Sequence, residues 1–276
     1  MSYFRQLYDA ASATYTYLIC DGGCREAILV DPVLGEVPLY LSLLAERQLK
    51  LAYVLDTHIH SDHVTAAAVL RARTGARVAV GCNTGAQGAD LLVDDGQTLA
   101  LCDDTIRVIA TPGHTPGCIC YLWRDRLFTG DSLLIGACGR TDFQGGDAGR
   151  LYDSLIRKLL AFPDETLVYP GHDYHGRLVS CIAQERRGNP LLRGKTRDEF
   201  VAGMNGVPPA EPVFDAALIA ANRRCGEFDG PQGAAFHRTR RADNTGPGVE
   251  APSQQSRVVQ SAVPLGAQPQ RALLHS

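Results

Sequence analysis

The stretch DTHIHSDH, Asp56 to His63, sets three histidines and two aspartates directly behind the apolar run LAYVL. The same arrangement recurs in TPGHTPG around His114, in PGHDYHG with His172 and His175, and in FTGDS with Asp131. Six of the chain's eight histidines fall in the three histidine segments, so their placement needs a common cause. One histidine alone is most often a hydrogen-bonded structural residue. Imidazoles and carboxylates recurring together at strand ends instead suit a Zn, Mn or Fe ion, and the lack of cysteine inside these segments argues against a structural thiolate zinc site. Composition leaves open whether one ion or two is bound. Asp62, beside such a site, has the chemistry to accept protons or position water; an Asx turn that stabilises the loop is the competing use of the same side chain.

The elements that must position these groups are legible as periodic runs. TYTYLICD, EAILVDP, LAYVLDT and ARVAVG read as strands, and EVPLYLSLLAERQL and TAAAVLRART as helices, a mixture that points to an α/β sandwich. QTLALCD, IRVIATPG, CICYLWRD and RLFTGDS then follow through short turns, which predicts a largely antiparallel half. Helices return in GRLYDSLIRKLLAF and RLVSCIAQERR, on either side of the short run TLVYPGHDYHG. Thr196 with Glu199 three residues later has the spacing of a capping box, so a short helix is expected to begin there. Loops at strand ends can converge on one edge of a sandwich, which is where all the chemistry-bearing residues stand.

The 276 residues, 45% hydrophobic, suffice for a full core. A net charge of −3 gives no electrostatic case for nucleic acid or an anionic membrane surface. No apolar run reaches spanning length and the N-terminus lacks a signal-like pattern, so a cytoplasmic protein is expected. The nine cysteines are scattered without the spacing of a secreted disulfide framework and read as mostly reduced thiols. Of the last 47 residues, 20 are Gly, Pro, Gln or Ser and Phe236 is the only aromatic. The expected organisation is therefore one folded domain over 1–229 and a disordered tail over 230–276.

THIHSDH followed in order by His114, Asp131 and His172 resembles the motif series of the metallo-β-lactamase superfamily. That resemblance implies a four-layered αββα sandwich with a metal site at one edge of the two sheets. Within the superfamily, the strings FRQLYDAASATYTYLICD, TPGHTPGC, CGRTDFQGGD, YPGHDYHG and ERRGNPLL are most similar to persulfide dioxygenases, over about Tyr3 to Glu227. GRTDFQGGD is the most diagnostic, because the glyoxalase II relatives differ there. The resemblance implies one Fe(II) per chain held by His58, His114 and Asp131, with His60, Asp62, His63 and His172 around it or holding a second ion. Two imidazoles and one carboxylate on one face of iron agree with oxygen-activating chemistry.

The resemblance further implies glutathione persulfide and dioxygen as substrates, sulfite and glutathione as products, and a homodimer. Glutathione carries two carboxylates, and Arg140, Tyr174 and, more weakly, Arg186 are the candidate residues to bind it; a structural salt bridge is the competing role for Arg140 and a solvated surface charge for Arg186. Cys118, Cys138 and Cys225 lie in the family-like strings, but packing is the default for a free cysteine and no neighbouring base is evident. Where many relatives have a second arginine before Thr-Asp-Phe, this chain reads Gly136, Ala137, Cys138, Gly139, Arg140. The main alternative is a binuclear zinc hydroxyacylglutathione hydrolase of the glyoxalase II type, for which every metal-type residue is also present. A non-catalytic persulfide-binding or metal-binding protein is the other.

Overall fold

The computed structural model describes residues 2–206 and 216–228. Strands β1 (Tyr3–Asp9), β2 (Thr14–Cys20), β3 (Glu26–Val30), β4 (Lys50–Leu55), β5 (Arg77–Gly81) and β6 (Leu91–Val93) form one sheet in that order. Strands β7 (Thr98–Leu101), β8 (Asp104–Ala110), β9 (Ile119–Trp123), β10 (Arg126–Gly130), β11 (Leu167–Pro170) and β12 (Ser180–Cys181) form the second, also in sequence order. Helices α1 (Val37–Glu46) and α2 (Ala67–Thr74) separate β3, β4 and β5, and those neighbours pair in parallel as crossover connections require. The second sheet is antiparallel as its short turns predict, except at β10 and β11, which α3 (Ala148–Ser154) separates.

Residue alternation divides the core into three apolar layers. Along β2, Tyr15, Tyr17 and Ile19 face the second sheet, where they meet Tyr121, Phe128 and Tyr169; Leu18 and Cys20 face α1 and α2. On the far side, Ile109, Cys120, Leu127 and Val168 pack against Leu151, Leu155 and Leu159. The result is the expected helix–sheet–sheet–helix sandwich, and the period of two in TYTYLIC is what lets one strand serve two layers.

Several elements depart from the sequence reading. The helix expected across RLVSCIAQERR begins only at Ile182, as α4 (Ile182–Gly188); Ser180 and Cys181 instead pair with Val168 and Leu167 as an edge strand. The helix beginning at Ala148 widens over Leu155–Leu159, where the amide of Leu160 bonds the carbonyl of Leu155 at 2.8 Å. Strands β1, β6 and β12 and helix α6 (Ala216–Arg223) were not evident as elements in the sequence. The tail expected over 230–276 lies outside the described residues. Among those described, no helix is long and apolar enough to cross a membrane.

The capping box is formed at the start of α5 (Arg197–Asn205). The Glu199 carboxylate accepts from the Thr196 amide at 2.8 Å, and the Thr196 hydroxyl accepts from the Glu199 amide at 3.3 Å. The cap orients Phe200, which is buried against Tyr152. Thr196→Ala should lower stability by about 1 kcal/mol in urea denaturation, with an unchanged slope.

One pair of cysteines is joined. Cys24 and Cys102 form a disulfide, while the other seven remain free. The expectation of mostly reduced thiols therefore needs correcting at one place, where two distant hairpin tips meet.

Candidate metal centre

The loops after β4, β8, β10 and β11 all open on one edge of the sandwich and bring the histidine segments together. His58, His60, His63, His114 and His172 are all buried there. His58, His114 and Asp131 each offer a ligand atom within 4.8 Å of one another, and His60, Asp62 and His63 form an adjoining group by the same measure.

Hydrogen bonds determine which imidazole nitrogen faces the centre. The Thr57 hydroxyl donates to Asp31 at 2.8 Å and so accepts from His58 Nδ1 at 3.0 Å, leaving His58 Nε2 with a lone pair. His114 Nδ1 donates to the Arg140 carbonyl at 2.7 Å, and its Nε2 lies 3.7 Å from Asp131 Oδ2. His172 Nδ1 donates to the Ala13 carbonyl at 3.0 Å, and its Nε2 lies 3.6 Å from both Asp62 Oδ2 and Asp131 Oδ1. Oriented imidazoles of this kind are what metal ligation requires. Asp131 Oδ1 is buried without a hydrogen-bond partner among the described residues, a costly state for a carboxylate oxygen unless a cation completes it. The donor set thus fits a divalent metal.

Electrostatics sharpen the division. Burial, then the neighbouring His60 and His114, hold His58 well below its ordinary pKa and keep it a neutral donor. Burial opposes charge on His60 too, but the Asp31 carboxylate, 3.1 Å from His60 Nε2, overrides it and pushes the pKa up to about 10. Burial would raise Asp62; His63 at 2.8 Å, His172 and His60 instead hold it well below the usual carboxylate range. Asp62 is therefore an anion, and it also accepts from the Thr14 hydroxyl at 3.0 Å.

Two glycines make the close packing feasible. Gly130, at φ +48, ends β10 where a Cβ would lie 2.7 Å from Thr57 Cβ. A Cβ on Gly139 would lie 2.8 Å from His114 Nδ1, so this loop can pass the imidazole only as glycine.

The pattern of the Metallo-beta-lactamase superfamily matches residues 10–172. The mitochondrial persulfide dioxygenase ETHE1 of Homo sapiens is 42% identical over 225 residues, which cover 80% of this chain and 88% of that protein. The crystal structure of ETHE1 from Myxococcus xanthus superposes with a TM-score of 0.80 at 51% identity, covering 82% of this chain and all of that one. The chain belongs to the persulfide dioxygenase family. A hydroxyacylglutathione hydrolase of Cereibacter sphaeroides is 40% identical over 217 residues, 76% of this chain and 82% of that protein.

The segment on which the family resemblance most depends builds the wall of the pocket. Gly139, Arg140 and Phe143 line it together with His114, Asp131, His172, Asp62, Cys138 and Tyr174. Arg140 stands at the mouth, but its guanidinium is bidentate to Asp142 at 2.5 Å and lies over the Phe143 ring. The salt bridge and the pocket position coexist. Tyr174 is 73% exposed, its ring parallel to that of His172, and partial desolvation together with the Asp131 and Asp62 carboxylates pushes the phenol up to about 12, so it is a neutral donor.

Arg186 is not brought to this pocket. It is tied to Asp164 and to the carbonyls of Leu160 and Phe162, contacts of the surface kind that was the competing role for it. His175 is held by Asp173 in the turn after β11 and lies outside both clusters. Burial pushes the thiols of Cys118, Cys138 and Cys225 up to about 12, the opposite of an activated nucleophile.

Two supporting residues escaped the sequence reading. Asp31, at the end of EAILVD, accepts from Thr57 and His60; its strand-end position was the available signal. Asn222 on α6 donates to the carbonyls of His60 and His63 at 2.9 and 2.7 Å and accepts from the Thr65 amide at 3.0 Å. It ties both ends of the histidine loop from a helix over 150 residues away in sequence, and no local pattern announces that. Asn222→Ala should cost about 2–3 kcal/mol in chemical denaturation, since it leaves buried backbone groups unpaired.

Proposed function

We propose that this protein is a mononuclear Fe(II) dioxygenase that converts glutathione persulfide, dioxygen and water to glutathione and sulfite. His58, His114 and Asp131 are the residues that would hold the iron. Bound there, Fe(II) would supply open positions for persulfide sulfur and dioxygen. The observation that carries the reading is that GRTDF, the segment separating the dioxygenases from the thioesterases, is itself the pocket wall, with the Arg140 carbonyl fixing the tautomer of His114.

The chain's own groups supply orientation and proton handling. Asp62, an anion at the pocket lining, is placed to accept the persulfide proton or to position water. His60, His63 and His172 surround it and hold its charge. Arg140 and Tyr174 at the mouth suit the carboxylates of glutathione, with Arg140 exchanging part of its bond to Asp142 for the substrate. Leu134, Cys138 and Phe143 give the reacting sulfur an apolar wall that limits water.

The second reading, a binuclear hydroxyacylglutathione hydrolase, is favoured by the adjoining His60, Asp62 and His63 group and by the Cereibacter sphaeroides relative. Anaerobic purification, metal analysis and an oxygen electrode separate the two. A single iron per chain with oxygen uptake on glutathione persulfide is expected. Two zincs per chain with thioester hydrolysis and no oxygen uptake would overturn the proposal.

A further inference from the structure

Cys24 lies in the turn joining β2 to β3, and Cys102 in the turn joining β7 to β8. The two hairpins belong to different sheets, yet their Cα atoms are 5.8 Å apart and their sulfurs are bonded. That separation sits within the roughly 4.4–6.8 Å that a disulfide requires. Each tip is preorganised. Leu101 and Asp104 pair directly, so Cys102, at φ +56, and Asp103 alone make the turn; Arg25, at φ +61, sets the other.

The pair stands at the edge away from the metal centre. β2 begins at Thr14, which touches Asp62, and ends six residues later at Cys20, a run of about 20 Å. β8 runs the opposite way, from the Cys102 turn toward the His114 loop. Cys24 is exposed and Cys102 half-buried, so reagents in solution reach the bond, whereas Cys20, Cys118, Cys120, Cys138 and Cys225 are buried.

We propose that Cys24 and Cys102 are a reversible thiol–disulfide site, a covalent clasp between the two sheets that small sulfur–sulfur oxidants close and thiols open. One cysteine thiolate attacks the oxidant's sulfur and forms a mixed species; the second attacks the first cysteine's sulfur and expels the leaving group. With a disulfide as oxidant, the two protein thiols lose two electrons and two protons, and two small thiols are released. With a persulfide, outer-sulfur transfer to the first cysteine releases one thiol and the second step releases hydrogen sulfide. The disulfide route is independent of the proposed dioxygenase activity; the persulfide route rests on it for the source of the oxidant.

The test uses the full-length iron-loaded protein, reduced, desalted and held anaerobically so that no turnover occurs. Samples are treated with glutathione disulfide or with glutathione persulfide. Free thiols should fall from nine to seven, with a Cys24–Cys102 linked peptide lighter by two hydrogens in mass spectrometry. The melting temperature should rise by about 5–15 °C, because the bond closes a long loop. Cys102→Ser should show neither change while keeping full basal activity. Closure by either oxidant supports the clasp and identifies its source. Nine thiols remaining with both, loss mapped to other cysteines, or reduced protein that binds added zinc through Cys24, Glu26 and Cys102 and resists oxidation would each overturn it. Absence of oxygen uptake in a protein whose clasp still closes would count against the proposed function alone.

Discussion

Asp131→Ala is expected to remove iron from the protein and abolish oxygen uptake while leaving the fold intact. Its carboxylate is the one anionic group within the His58, His114 and Asp131 cluster, and it also faces His172 at 3.6 Å. Buried Asp131 Oδ1 has no other partner among the described residues, so the side chain contributes little to the metal-free fold. Removing it leaves two neutral imidazoles that cannot balance a divalent charge. Loss of even a supporting residue around a metal lowers affinity about 10–100-fold, and loss of a charged ligand should exceed the upper end of that range. Iron per chain after desalting should fall below roughly a tenth of the wild-type value at micromolar protein. The melting temperature of metal-free protein should shift by no more than about 2 °C, because no packed apolar contact is removed. Wild-type iron content and activity in this variant would refute the ligand assignment.

What was legible in the sequence follows from the range over which each signal acts. The sheets and the layer order came from alternation inside single strands: TYTYLIC declares both of its faces locally. Thr196 and Glu199 declare a helix start within four residues. The short edge strands β6 and β12 bury too little to leave a period, and β12 stood inside a helical-looking run until pairing with β11 decided it. The candidate ligands were visible because each ends a strand. Their supports were not, because Asn222 reaches the histidine loop across the sequence and Arg140 fixes His114 through a backbone carbonyl that any residue type would offer. Arg186 shows the converse: a charge on a helix face has many partners within reach, and in the fold Asp164 is the near one.

Asp31→Ala should be the most destabilising single substitution around the centre. Asp31 is 1% exposed and accepts three hydrogen bonds: the Thr57 amide at 2.7 Å, the Thr57 hydroxyl at 2.8 Å and His60 Nε2 at 3.1 Å. Its backbone stands at φ +49, a conformation aspartate tolerates better than most side chains and alanine less well. Truncation leaves a buried amide, a buried hydroxyl and a histidine whose charge Asp31 sustains, all without their acceptor. Breaking a buried charged pair from one side costs about 3–5 kcal/mol, and the stranded amide adds to it. The loss also propagates to the metal. With Asp31 gone, the Thr57 hydroxyl no longer has a reason to donate away from His58, so it can donate to Nδ1 and shift the imidazole to the tautomer whose Nε2 carries hydrogen. Asp31→Asn keeps the shape and one acceptor oxygen, so it should recover part of the stability and less of the metal binding. Denaturant midpoints and iron content, measured together on both variants, check this; a Asp31→Ala protein within about 1 kcal/mol of wild type and fully iron-loaded would show that the network beneath the histidines does not set either property.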